Sequence, residues 1–340
     1  MSESRPPLRR IGAGFCGTVW AASDTGSAYK REDGGPDRSL RHDFETHQHI
    51  LQCMRQTALE YPTDTTPSAA DVRYHINIPL CHSFISPTDT WWTGNLDRFP
   101  PDYKPCNMTE MQRIPPVSET TRDLLIEKYC PARLKFQITR SKTNRDCLIR
   151  PYLGRRRIQR ASETPRSRGV FSLRNYPLHL DQMEEIGIPE EDIMGYSRTM
   201  AYTLAFLHWV ARIDGNDIEF VLAAPNNISV GGTKGTWNNA LGLHEMWMLD
   251  FDLARPMTMD EEGIQQAANA FLKNDPFCPR PDQHSSIWNA FREQYLEMSK
   301  EHISAAGLEN GLQEDLPQQF IRLLEELPRT NTVIRERRYS

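Results

Sequence analysis

Residues 211–225 read ARIDGNDIEFVLAAP, and residues 244–254 read HEMWMLDFDLA. Each piece sets acids against an apolar run: Asp214, Asp217 and Glu219 lead into FVLA, and Asp250 and Asp252 close MWML. The Asp-Gly-Asn-Asp run 214–217 has turn chemistry, because Gly, Asn and Asp accept positive φ and bond their own backbone. Residues 220–223 and 246–249 then read as strands, joined by a polar hairpin rich in Gly and Asn. Acids beside apolar strands are costly to bury unless they hold a cation or transfer a proton. The two acidic ends are therefore expected to face one cleft. If Asp217 and Glu219 both lie in the strand, its period of two puts them on one side.

Working outward, 340 residues allow one large two-lobed unit or two domains. The formal net charge of -5 gives no global attraction to nucleic acid, so any such binding needs a local patch. Cysteines at 16, 53, 81, 106, 130, 147 and 278 form no C-x-x-C pair, which argues for reduced thiols and against a zinc module. The start, MSESRPPLRR, has no apolar run behind its basic residues and does not read as a signal peptide. No stretch approaches the ~18 apolar residues of a membrane span. A cytoplasmic protein is expected, with no metal ligands, no membrane and no DNA among its partners.

Upstream, Gly12-Ala13-Gly14-Phe15-Cys16-Gly17-Thr18-Val19 fits the G-x-G-x-x-G-x-V pattern of a protein-kinase glycine-rich loop. Apolar flanks predict a hairpin, and Ala28-Tyr29-Lys30 stands where a kinase carries its strand lysine. Residues 39–58 have helical periodicity through Leu40, Phe44, Ile50, Leu51 and Met54. Glu45 on that helix is the expected partner of Lys30, and His42, His47 and His49 are expected on a solvated face. A Pro-rich insertion at 86–108 carries Trp91 and Trp92, expected to cover the core rather than to stack on a base. Between 133 and 168 stand ten arginines and two lysines with few acids. Such runs are usually solvated, but in an acidic chain this one also suits phosphate or RNA. Downstream, 189–210 reads as a buried helix ending at His208, a packing residue, and 259–273, 286–305 and 313–327 read as core helices.

In that order these features resemble a protein-kinase-like fold of α+β class. The expected division is a small β-rich N-lobe at 1–130 and a larger, mostly helical C-lobe at 131–335. Leu249-Asp250-Phe251-Asp252 compares with the kinase D-F-G, with Asp in place of Gly. Two departures weaken a phosphotransferase reading. No H-x-D precedes the acidic loop, and five residues beyond Asp217 stands Leu222, where a kinase has its metal-binding Asn.

A second resemblance rests on DCLIRPYLGRRR, FSLRNYPLHLDQM, DGNDIEFVL and WMLDFDLARPMTMDEEGIQQAANAFLKNDPFCPRP, over roughly residues 110–285. This set is similar to a fungal family of arginine-containing cyclodipeptide synthases, long labelled as zinc-finger-associated. The resemblance implies synthesis of cyclo-arginyl-Xaa diketopiperazines from arginyl-tRNA and a second aminoacyl-tRNA, as the first step of a secondary-metabolite pathway. It implies no cofactor. Its acidic motif maps onto Asp214, Asp217 and Glu219; the chemistry makes Glu219 the expected general base, with Asp214 and Asp217 holding the arginyl group or orienting the acceptor stem. Lys30, Gly12, Gly14, Gly17, Asp250 and Asp252 are the expected substrate-binding groups. Arg150, Arg155, Arg156, Arg157 and Arg160 would hold tRNA phosphates, and Cys16 is a candidate covalent nucleophile. Two alternatives stand beside it: a divergent phosphotransferase in which Lys30 and Asp250 hold ATP–Mg²⁺, and a kinase-fold protein that only binds partners.

Overall fold

A computed structural model describes residues 5–22, 26–35, 38–60, 76–157, 171–225, 235–307 and 315–326. The chain starts with three antiparallel strands, β1 (Arg9–Ala13), β2 (Thr18–Ala21) and β3 (Ser27–Arg31), followed by helix α1 (Leu40–Glu60). Strands β4 (Cys81–Ile85) and β5 (Met108–Gln112) complete an antiparallel sheet of order β1-β2-β3-β5-β4. At the β1–β2 turn Gly17 has φ 149, and a Cβ there would lie 1.8 Å from the Arg31 carbonyl oxygen. Only glycine fits that approach.

One face of this sheet buries Trp20, Tyr29, Ile85 and Met108 together with Trp92 and Phe99 from the Pro-rich insertion. The insertion is a pair of 3-10 turns. The Asp89 side chain caps the first by accepting from the Trp91 N–H, and Trp92 Nε1 donates to the Ser86 carbonyl. Trp91 and Trp92 meet edge to face at 5.1 Å, so this aromatic pair covers the core as expected. Arg31 is 2% exposed and lies over the rings of Trp92, Phe99 and Tyr103, so its charge is buried against π faces.

Beyond β5 come α2 (Glu119–Tyr129) and α3 (Ala132–Arg140), with Ser118 capping α2 through the Thr121 N–H. Next are β6 (Ile149–Tyr152), β7 (Tyr176–His179), α4 (Leu180–Glu185) and α5 (Glu190–Phe206). Then follow β8 (Glu219–Ala223), β9 (Thr236–Asn239), β10 (Gly242–Leu249), α6 (Glu261–Lys273), α7 (Ser285–Ala305) and α8 (Leu316–Glu326). Helix α5 runs through the core with Ile193, Tyr196, Met200 and Leu204 buried, the face its periodicity predicts. It ends in a π turn, Leu207–Ala211, which swings the chain into the acidic loop.

The architecture is mixed α+β, with a β-rich N-terminal region and helices predominating toward the C-terminus. One difference from expectation is a second five-stranded sheet, β7-β6-β8-β10-β9. Short strands such as IRPY and YPLH carry prolines that hide their pattern, and the β6–β7 pair is parallel. This sheet brings Arg150 of β6 beside Glu219 of β8. Among the described residues, no helix is long and apolar enough to cross a membrane.

Candidate functional site

Six carboxylates and three cations meet where β3, α1, β6, β8 and the end of β10 converge. Lys30 Nζ lies 2.7 Å from both Asp43 and Asp250. Arg38 reaches Asp217 at 2.9 Å and Asp252 at 2.8 Å. Arg150 grips Glu219 and lies 3.8 Å from Asp275. Fully ionised, this set would carry three more negative than positive charges. Such an excess in a poorly solvated place is met by protonating an acid or by admitting a cation.

Glu219 is the acid that takes the proton. Its side chain is 17% exposed at the head of β8. Burial raises its pKa to about 8, with Asp250, Asp275 and Asp217 adding to the rise and Arg150 opposing it. Burial likewise raises Asp217 and Asp252 above the ordinary carboxylate range, and Arg38 only partly offsets this. Lys30 stays charged: burial works against it, but Asp250 and Asp43 outweigh that and hold its pKa well above normal. Arg150 is likewise held as a cation despite burial, by Glu219, Tyr152 and Asp275.

The lysine's helix partner is Asp43, not Glu45. Glu45 is exposed and pairs with Arg41 at 3.8 Å one turn away. Asp43 accepts from Lys30 through one oxygen and from the Phe251 N–H at 2.9 Å through the other. Burial raises its pKa, but Lys30 and that N–H prevail and hold it below the ordinary range. Of the α1 histidines, His49 is exposed as expected, whereas His42 is half-buried and His47 is buried. His42 donates to the Ala254 carbonyl, His47 to Pro79 and His49 to Ala211, satisfying carbonyls that turns leave unpaired. The first and last of these tie α1 to both ends of the acidic stretch.

Asp214 and Asp217 have separated. Asp214 is 4% exposed and accepts from the Asn216 and Arg255 N–H groups and from the Gln266 amide, all at 2.9–3.0 Å. Its carboxylate organises the loop and does not face Lys30. Asp217 precedes the strand instead of lying in it, at φ 62, with its N–H on Asn274. The period-of-two argument therefore does not apply to it. Asp275 sits in the same group although no motif marked it; the signal available was the acid in NDPF just after an amphipathic helix.

In the glycine-rich turn, the Gly14 N–H bonds the Gly17 carbonyl and the Thr18 N–H bonds Asp33, both at 2.8 Å. A carboxylate thus occupies part of a loop that would otherwise attract phosphate. Gly12 packs on Val19, while a Cβ on Gly14 would meet open space. Cys16 is buried and its thiol is pushed up to about 12 by that burial, despite Lys30, so it stays protonated and unreactive. His208 is buried against Tyr295, a packing role as expected.

The arginine strip is divided. Arg150 belongs to the acidic group just described. Arg156 pairs with Glu184, and Arg157 pairs with Asp181 and Glu185 of α4. Arg155 is exposed, and Arg160 lies outside the described residues. Among the described residues no three His, Cys, Asp or Glu side chains converge as a metal site.

The family described as DUF3669, zinc finger protein, matches residues 246–307. That segment runs from β10 through α7 and contains one cysteine, Cys278, and two histidines, His284 and His302. Cys278 is buried with its thiol raised by burial to about 12, which does not suit a zinc thiolate. No curated protein matches the chain.

Proposed function

We propose that the protein is an aminoacyl-tRNA-dependent cyclodipeptide synthase on a kinase-like two-lobed scaffold, forming a cyclo-arginyl-Xaa diketopiperazine. The observation that carries this reading is Glu219, a buried carboxylate raised toward neutral pH inside a group with excess negative charge. A general base works best with a pKa near the working pH. The scaffold is supported by the sheet order β1-β2-β3-β5-β4, by α1 inserted between β3 and β4, and by Lys30 joined to a helix acid and to Asp250.

The chemistry follows from the substrate. An aminoacyl ester is already an activated acyl group, so amide formation needs no ATP. The α-amine of one aminoacyl group attacks the ester carbonyl of the other, and the first tRNA leaves through its terminal hydroxyl. The amine of the resulting dipeptidyl ester then attacks its own ester carbonyl, closing the ring and releasing the second tRNA. Both steps remove a proton from nitrogen and deliver one to the departing oxygen. Glu219 takes and returns that proton, and Arg150, held against it, steadies the carboxylate. The excess acids receive the arginyl guanidinium. Asp217 and Asp252 already hold one such group, that of Arg38, and Asp214 keeps the loop in shape. Charged tRNA is abundant in the cytoplasm, which agrees with the compartment expected from the sequence.

Expression in a host lacking the pathway, followed by metabolite profiling, tests the proposal. Cyclo-arginyl products are expected from the parent chain and are lost with Glu219→Gln; undiminished product from that variant would remove Glu219 as the base. In an extract, RNase is expected to stop synthesis, and synthesis that survives it would contradict tRNA dependence. A phosphotransferase is the second reading, favoured by Lys30 bridging Asp43 and Asp250. It predicts Mg²⁺-ATP binding that is lost with Lys30→Ala. The Thr18 N–H held by Asp33 counts against it.

A further inference from the structure

The arginines first expected to meet RNA are partly neutralised by α4, but another face carries more cations than acids, with Glu127 paired to Lys135 at 2.7 Å. Helix α3 and the 3-10 turn Lys142–Asp146 expose Arg133, Arg140, Lys142 and Arg145. The acid of that turn, Asp146, is buried and faces Arg9 and Arg113 instead. Phe136 stands among these cations 70% exposed, with the Arg140 guanidinium 4.4 Å from its ring centre. Beside it, between α2 and α3, an open groove of about 400 Å³ is lined by Ile126, Phe136, Lys135, Arg140, Asp123 and Glu127.

An aromatic ring left in water beside arginines is a stacking platform, because every base has a π face and sequence does not matter to it. Arginines around it match phosphates, and in an acidic chain such attraction has to be local. Glu127 is held by Lys135, and the exposed Asp123 in the groove suits the exocyclic amino group of a base. A lipid surface would need a broader apolar face than one ring flanked by Gln137 and the neighbouring polar side chains.

We propose that α3, the 142–146 turn and the α2–α3 groove hold the single-stranded end of an RNA. Phe136 stacks a base there, and Arg133, Arg140, Lys142 and Arg145 take phosphates. This rests on the tRNA-dependent reading and names the surface it uses. The position fits: from Arg145 the chain reaches Arg150, the partner of Glu219, in five residues, at most about 18 Å when extended.

The test is fluorescence anisotropy with the full chain and a transcribed arginine tRNA, across about 50 to 200 mM salt. R140A/K142A/R145A is expected to weaken binding at least tenfold and to flatten the salt dependence by roughly 0.7–0.9 in slope for each phosphate left without its cation. Phe136→Ala is expected to weaken binding roughly tenfold with the salt slope unchanged. R155A/R156A/R157A is expected to stay within about twofold, since two of its three cations are already paired. These side chains are exposed, so matching melting curves certify the folds. Normal binding by the first two variants with loss in the third overturns this surface but leaves the tRNA reading standing. A parent chain that binds no tRNA overturns both. Vesicles of phosphatidylserine and phosphatidylcholine form the last arm: their capture through Phe136, with tRNA binding unaffected, makes the face a lipid contact and overturns the proposal.

Discussion

In the proposed function Glu219 acts as base through its surroundings more than its identity. Its carboxyl has a raised pKa because burial and three neighbouring aspartates outweigh Arg150. Product formation is therefore expected to rise through a single ionisation near pH 8, and Glu219→Gln to lower the rate about 10²–10⁴-fold and remove that ionisation. Initial rates of diketopiperazine formation against pH check both. The stability consequence has the opposite sense. A carboxyl whose folded pKa lies above its unfolded value binds more protons when folded, so stability falls as pH rises from about 4.5 to about 8. Thermal melts of the parent should decline across that window relative to Glu219→Gln. Arg150→Ala is expected to move the Glu219 ionisation further up and to destabilise by about 1–3 kcal/mol, because the protonated acid loses its donor and Asp275 a nearby cation; urea denaturation measures it. The sequence marked Glu219 because an acid leading into an apolar strand is conspicuous. It could not show that Arg150, 69 positions away, is the partner, since that pairing depends on β6 lying beside β8.

Helix α1 shows what spacing does and does not convey. Periodicity located the helix and its buried face, but a helix position two residues away points about 200° round the axis. Asp43 therefore faces Lys30 and Glu45 faces solvent, although Glu45 matched the expected spacing. Asp43→Asn is expected to destabilise the protein by roughly a few kcal/mol and to abolish activity, because Lys30 and the Phe251 N–H lose a charged partner. Glu45→Gln should stay within about 0.5 kcal/mol. Parallel melts and product assays of the two variants separate them. The histidines of α1 were illegible for a similar reason: their acceptors are carbonyls at Pro79, Ala211 and Ala254, which no local pattern announces. The β1–β2 turn was legible, because a glycine forced by a 1.8 Å approach to Arg31 leaves its mark in the sequence.

Across the whole molecule, the β-rich N-terminal region, the helical C-terminal region and the strands β8 and β10 were readable from the sequence, whereas the assembly of the second sheet was not. Its strands are four to eight residues long and one pair is parallel, so its order follows from long-range packing. That sheet joins Arg150 to Glu219 and carries Asp250 at its β10 end to Lys30 of the first sheet, which Asp43 of α1 also holds. The result is a cleft with three more acids than cations, beside a glycine-rich turn in which Asp33 already holds an N–H. A cationic, already activated substrate suits this cleft better than a polyanionic nucleotide. The most direct measurement is a single-turnover reaction of the purified chain with arginyl-tRNA labelled in the amino acid and a mixture of other aminoacyl-tRNAs, without ATP. The account predicts label in a cyclo-arginyl diketopiperazine, and loss of that product with Glu219→Gln. Label released solely as free arginine, or a product that forms only when ATP is added, would contradict it.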